Sequence, residues 1–197
     1  MCGILGTIGQ APFEAARGRA LADLHHRGPD SAGQILLQYQ GKDIWLGHTR
    51  LAILDLSEAG HQPMHSHDGR WYVTFNGEIY NHADLRHDLN VNWRGHSDTE
   101  TLVEALAVWG ITKTLARLNG MFAFAAVDLQ SGKAYLARDP FGIKPLYYTQ
   151  SAQSLSCASE IRVLSDLGGS RFSVDRDALQ TFLSLRYVPS PDRKSVV

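Results

Sequence analysis

Residues 121–127, Met-Phe-Ala-Phe-Ala-Ala-Val, place no polar side chain on either face of an extended segment. A strand of this kind has to be covered on both sides, so the chain must supply a packing layer above it and another below. The turn residues Gln130-Ser131-Gly132 lead into a second strand at residues 133–138, which predicts a hairpin. Upstream, Trp71, Val73 and Phe75 alternate with Tyr72, Thr74 and Asn76 at the two-residue period of a strand. Asn76-Gly77 is expected to end it.

Short β-branched or alternating runs predict further strands at residues 4–8, 33–39, 44–48, 52–56, 146–149 and 155–159, with a hairpin turn around Gly41-Lys42 and another turn at residues 65–69. Pro12 opens a helical segment with Phe13, Ala16, Ala20, Leu21 and Leu24 on one face, which Arg27-Gly28-Pro29 cannot continue. Residues 83–89 predict a short helix. Ser97 and Glu100 form a capping-box pattern ahead of Leu102, Val103, Leu106 and Trp109, with Gly110 as the stop. Residues 160–167 and 175–185 also read as helices. Tight turns between short strands, with helices gathered between groups of them, predict an α+β chain of mostly antiparallel sheets faced by helices.

A chain of 197 residues can bury roughly 70% of its unfolded surface, enough for a sizeable core. Lys+Arg 19 against Asp+Glu 20 leaves a net charge of -1, which removes the electrostatic case for nucleic acid or an anionic membrane surface. The longest apolar run falls far short of the ~20 residues that span a bilayer, and no charged segment leads into a hydrophobic one at the N-terminus. A cytoplasmic protein without membrane association is expected. Cys2 and Cys157 are the only cysteines, too few for a disulfide framework; Cys157 reads as a small core residue.

Removal of Met1 would make Cys2 the first residue, combining a thiol with a free α-amino group. The two titrate close together, at about 8.5 and about 8, so a proton passes between them at little cost. Such a residue carries its own base.

The chain also carries Met1-Cys2-Gly3-Ile4, His26-Arg27-Gly28-Pro29-Asp30, His48-Thr49-Arg50-Leu51-Ala52-Ile53 with Asp55, Gly60-His61-Gln62-Pro63-Met64, Phe75-Asn76-Gly77-Glu78-Ile79-Tyr80-Asn81, Ser97-Asp98-Thr99-Glu100, Asn119-Gly120-Met121-Phe122-Ala123-Phe124, Arg138-Asp139-Pro140-Phe141-Gly142-Ile143-Lys144-Pro145-Leu146-Tyr147-Tyr148 and Ser159-Glu160-Ile161. Through these motifs it resembles the class II glutamine amidotransferases, and within them the glutaminase domain of glutamine-hydrolysing asparagine synthetases. These nine motifs stand in order from residue 1 to the last third of the chain. They imply an N-terminal nucleophile fold, a four-layer αββα sandwich of two stacked antiparallel sheets between helical layers. Residues 1–188 would form the amidotransferase domain and residues 189–197, rich in Pro and polar residues, the start of a linker to a C-terminal synthetase domain.

The resemblance implies hydrolysis of the L-glutamine side-chain amide through a Cys2 thioester, with the Asn76 side-chain amide and the Gly77 N–H as oxyanion donors. Arg50 would hold the substrate α-carboxylate, a role suited to a guanidinium that can grip a carboxylate through two bonds, and Asp98 the α-ammonium. Ile53 and Glu78 match positions that line the family's pocket through backbone groups. As residues alone, Asn76-Gly77 also reads as a turn, Arg50 as a strand-end charge and Asp98 as a first-turn acid favourable to its helix dipole.

His61, His65 and His67 lie close together, but no carboxylate or Cys pattern completes a four-ligand set, so no metal is expected. His26 and Arg27 read as a buried structural pair beside the site, and Lys144 and Tyr147 as support for the fold. Arg162 departs from the Lys common in the family after Ser-Glu-Ile. No Ser-Gly-Gly-x-Asp-Ser loop is present, so this domain is expected to use no cofactor; ATP and Mg would belong to the synthetase domain. The expected partners are L-glutamine and that domain, and a homodimer is possible. Other readings are an amidotransferase domain serving a different carboxylate or sugar acceptor, and a non-catalytic module that binds glutamine or docks a partner.

Overall fold

In a computed structural model, which describes residues 1–168 and 173–187, the apolar 121–127 segment is the middle of strand β6 (Gly120–Asp128), and both its faces are covered. In chain order the other strands are β1 (Gly3–Gly9), β2 (Ser31–Tyr39), β3 (Lys42–Arg50), β4 (Met64–His65), β5 (Trp71–Ile79), β7 (Lys133–Arg138), β8 (Tyr147–Gln150) and β9 (Leu155–Ala158). The helices are α1 (Glu14–Asp23), α2 (His82–Asp88), α3 (Asp98–Arg117), α4 (Ile161–Gly168) and α5 (Arg176–Leu185). One sheet has the order β2-β3-β1-β9-β8 and the other β4-β5-β6-β7. All their pairings are antiparallel.

The pleat sorts each strand's residues into layers. Phe122, Phe124 and Ala126 of β6 pack with Trp71, Val73 and Phe75 of β5 against Leu85 of α2 and Leu102, Val103 and Leu106 of α3. The alternate residues Ala125 and Val127 face the other sheet and meet Ile44, Leu46 and Cys157. On that sheet's far side, Leu5, Trp45 and Ala158 pack with Ala20 and Leu24 of the α1 region and with Val163, Leu164 and Leu167 of α4. The stack is helix, sheet, sheet, helix, the four layers that the resemblance implied. Cys157 lies between the sheets, and Arg162 caps α1, donating to the Asp23 carbonyl at 3.2 Å.

Several expectations are corrected. Residues 52–56 form an irregular loop instead of a strand, because side chains rather than a neighbouring strand take their backbone groups; Ile53 and Leu56 are exposed. Strand β5 does not stop at Asn76-Gly77 but continues to Ile79, with Gly77 opposite Phe122. Gly110, at φ 73°, kinks α3 without ending it, and helix resumes to Arg117. The capping box is half made: Ser97 Oγ accepts the Glu100 N–H at 3.2 Å, while the Glu100 carboxylate takes the N–H groups of Arg94 and Gly95. Phe13 is exposed at the start of α1, and the first hairpin turns at Gln40-Gly41, one residue early. The expected linker at 189–197 lies outside the described residues. No helix among those described is long and apolar enough to cross a membrane.

Phe124 is fully buried at the centre of the helix-facing core. Phe124→Ala is expected to lower unfolding free energy by about 3–5 kcal/mol, read as a reduced denaturation midpoint with little change in slope.

Candidate active site

Cys2 sits at the start of β1, which lies between β3 and β9 in the middle of its sheet. Its neighbours are fixed on both sides, Gly3 opposite Thr49 and Leu5 opposite Ala158. Ile4 N–H donates to Ser159 Oγ and Ser159 N–H to the Ile4 carbonyl, each at 3.0 Å. Arg27 Nε donates to the Cys2 carbonyl at 3.1 Å, and its Nη1 to Glu160 Oε1 at 3.3 Å, an oxygen that also lies 2.8 Å from His26 Nε2. Burial disfavours an ionised Glu160, but the bonds from His26 and Arg27 outweigh it and lower its pKa. The pair expected to be buried is therefore split: Arg27 is mostly buried and reaches Cys2, whereas the His26 side chain is 55% exposed.

Inward residues alternate along β1, so Cys2, Ile4 and Ile8 face the second sheet. The Leu51 N–H points at Cys2 Sγ from 3.4 Å. Burial pushes the Cys2 thiol up, against smaller opposing effects of Leu51 and Arg50, while Asp98 adds to the rise. Burial thus favours the neutral thiol over the thiolate.

On β5 the same alternation that sends Thr74 inward, its Oγ1 donating to the Gly47 carbonyl at 2.9 Å, also sends Asn76 inward. Asn76 is buried and its Nδ2 has no partner among the described residues. Buried amide donors are rarely left unpaired. The backbone beside it is arranged likewise. Phe122 exchanges its bonds with Asp139, on the far side of β6, so by the antiparallel pattern Phe75, Gly77 and Ile79 turn their N–H groups away from β6. The Phe75 N–H goes to Gln62 Oε1 at 2.7 Å and the Ile79 N–H to Asp98 Oδ2 at 2.9 Å. Between them, the Gly77 N–H faces the cleft. Glycine is required there by packing: a Cβ would stand 2.4 Å from the Met121 carbonyl oxygen.

Arg50, the last residue of β3, donates from Nη1 to the Ser57 carbonyl at 3.0 Å and from Nη2 to the Asp55 carbonyl, gathering loop 51–60 around its guanidinium. Asp55 anchors that loop to the approach to α3, accepting from His96 N–H at 2.8 Å and from Ser57 N–H and Oγ. These bonds, the His96 one first, hold its pKa down to about 2. Asp98 opens α3; burial raises its pKa, although the Ile79 N–H works the other way. All seven residues singled out in the sequence, Cys2, Arg50, Ile53, Asn76, Gly77, Glu78 and Asp98, line one cleft of about 200 Å³, small against the ~300–1,000 Å³ of sites for drug-sized ligands. The cleft brings together a cation, a carboxylate, a thiol, the Asn76 Nδ2 donor, which has no partner among the described residues, and the Gly77 N–H.

Sequence reasoning missed Arg27 as a partner of Cys2, Gln62 as a partner of Phe75, and Lys144 as a lining residue. Each belongs to one of the matched motifs, but no local pattern marks its partner, which lies elsewhere in the sequence. His65 Nδ1 lies 2.8 Å from the Ser66 carbonyl oxygen and His67 Nδ1 2.8 Å from Glu104 Oε1. No group of three or more His, Cys, Asp or Glu side chains among the described residues could hold a metal ion.

The depressed Asp55 pKa stabilises the fold above about 3.8, the ordinary value, and that contribution is lost as pH falls from there to about 2. Asp55→Asn is expected to lower the melting temperature at neutral pH and to flatten its decline between pH 4 and 2, measured by thermal denaturation of both proteins across that window.

A family described as glutamine amidotransferase domain matches residues 1–196. The chain is 32% identical over 209 residues to a putative asparagine synthetase [glutamine-hydrolyzing] 2 of Methanocaldococcus jannaschii, covering 97% of this chain and 40% of that protein. It is 35% identical over 200 residues to asparagine synthetase [glutamine-hydrolyzing] 1 of Bacillus subtilis, covering 97% of this chain and 30% of that protein. The chain thus spans well under half the length of these relatives. In fold it is similar to the glutamine phosphoribosylpyrophosphate amidotransferase of B. subtilis, with a TM-score of 0.70 at 22% identity, over 87% of this chain and 44% of the other. Together with the four-layer fold, these matches establish that the chain belongs to the glutamine amidotransferase domain family.

Proposed function

We propose that this domain hydrolyses L-glutamine to L-glutamate and ammonia, with Cys2 as nucleophile once Met1 has been removed, and that in the full-length protein the ammonia feeds asparagine synthesis from aspartate. The observation that carries the reading is the convergence of the Cys2 thiol and the unpaired Asn76 Nδ2 donor in one cleft between Arg50 and Asp98. Arg50 would hold the substrate α-carboxylate and Asp98 its α-ammonium, with Glu78 and Ile53 shaping the pocket through their backbone. Residues 189–197 would lead to the synthetase domain, where ATP and Mg belong.

The freed Cys2 α-amino group takes the thiol proton as sulfur bonds to the amide carbon. The amide oxygen becomes an oxyanion, received by Asn76 Nδ2 and the Gly77 N–H; removing one such donor typically costs ~3–4 kcal/mol of barrier. The ammonium returns its proton to the amide nitrogen, the C–N bond breaks and ammonia leaves a γ-glutamyl thioester. Water, deprotonated by the same amine, attacks the thioester, and glutamate departs as sulfur recovers a proton. Burial disfavours the thiolate of Cys2, and a base on the same residue offsets that. While Met1 remains, the Cys2 nitrogen is an amide and the base is missing.

Cys2→Ala is expected to abolish glutamine hydrolysis with the melting temperature nearly unchanged, and a glutamine-analogue electrophile to add one equivalent of mass only to chains that have lost Met1. Undiminished hydrolysis by the Cys2→Ala protein would sink the assignment, and unlabelled chains that still bind glutamine would point to a binding module instead.

A further inference from the structure

Strand β5 must hold Asn76 and Gly77 at a fixed distance from Cys2, yet the two stand on different sheets. The peptide groups of Phe75, one residue before Asn76, are gripped from two directions. From the first sheet, His48 Nε2 lies 3.1 Å from the Phe75 carbonyl oxygen. From the loop after residue 60, Gln62 Oε1 takes the Phe75 N–H at 2.7 Å, and Gln62 Nε2 donates to Thr99 Oγ1 at 3.1 Å, beside Asp98. His48 stands opposite Ile4 on β1 and two residues before Arg50 on β3.

The state of His48 follows from its partner. A carbonyl can only accept, so Nε2 carries the proton. The ring is completely buried, and burial pushes its pKa down to about 3, so it stays neutral. Its Nδ1 has no partner among the described residues. A buried imidazole with one unpaired nitrogen costs the fold more than an apolar side chain of similar size would, so packing alone does not account for histidine at this position.

We propose that His48 is a positioning residue for the oxyanion donors: with Gln62 it clamps Phe75 and so sets Asn76 Nδ2 and the Gly77 N–H relative to the Cys2 sulfur. The inference rests on the glutaminase reading of the cleft. The donors matter most when charge develops on the substrate oxygen, so their displacement affects turnover more than binding. A shift of about 1 Å in such a group can cost ~100-fold.

The test compares His48→Leu, which keeps bulk and loses the donor, with His48→Gln, which can restore it. Glutamine turnover is measured alongside NMR resonances of the Gly77 N–H and the Asn76 side-chain amide. In His48→Leu, kcat is expected to fall at least tenfold with KM within threefold, and both resonances to shift; in His48→Gln, kcat and resonances return most of the way. Should His48→Leu not fold, Gln62→Leu tests the same clamp from the N–H side, with the same kcat loss expected. A folded His48→Leu with wild-type kcat, unmoved resonances, or His48→Gln as impaired as His48→Leu would each overturn the proposal. If the unmutated protein turns over no glutamine while the resonances still move, the glutaminase reading fails and the positioning role stands.

Discussion

The structure depends on holding the beginning of the chain still. A terminus normally frays unless it is tied into a sheet, and here the first strand is the central one of five. Its immobility is over-determined. Ladder bonds run to β3 and β9, Ser159 and Ile4 bond reciprocally, and Arg27 holds the carbonyl of Cys2 itself. The close approach leaves no room for side chains along part of β1, where a Cβ on Gly3 would lie 2.6 Å from Thr49 Oγ1. Strands at residues 42–50 and 155–158, more than 100 residues apart, therefore have to assemble around residues 3–9.

With β1 fixed, the cleft follows from a gradient along the facing surfaces of the two sheets. The inward residues of β3 run Ile44, Leu46, His48, Arg50, and those of β5 run Tyr72, Thr74, Asn76, Glu78. On β1 the inward series, taken toward the N-terminus, is Ile8, Gly6, Ile4, Cys2. The register of β1 with β3, and the bonds from Thr74 to Gly47 and from His48 to Phe75 between the sheets, send all three series toward the same end of the sandwich. One end of the inter-sheet space is therefore dry and apolar, closed by Ile44, Leu46, Ala125 and Val127. The other becomes polar and opens into a pocket, where buried side chains need partners that the sheets do not supply.

Much of this was legible in the sequence because it is periodic. The alternation at residues 71–76 put Asn76 on the correct face, and the unbroken apolar run at 121–127 called for two covering layers. What was not legible depends on bonds without a local signature. Residues 52–56 look like a strand by composition, but Asp30, Asp55 and the Arg50 guanidinium take up the loop's backbone groups. Asn76-Gly77 looks like a turn, yet this glycine is present because a neighbouring strand approaches too closely for a Cβ. Arg27 is separated by 25 residues from the carbonyl it holds, and nothing in its own surroundings marks that partner.

The unpaired donors give the cleft its thermodynamic character. A buried amide N–H without a partner costs of order 1–3 kcal/mol, and Asn76 Nδ2 bears such a cost in the free domain. Relaxation could remove it by rotating the side chain or letting the edge of β5 drift. The drift is resisted by neighbours: Thr74 is bonded to Gly47, and Phe75 to His48 and Gln62. Asn76 Nδ2 is left without a partner among the described residues while the backbone groups beside it are bonded. A neutral amide oxygen entering the cleft would recover part of that cost and an oxyanion more of it, since bonds to a charged acceptor are roughly twice as strong. The difference between those two recoveries is what lowers a barrier. The bonds that hold Phe75 therefore fix the backbone from which the Asn76 donor projects.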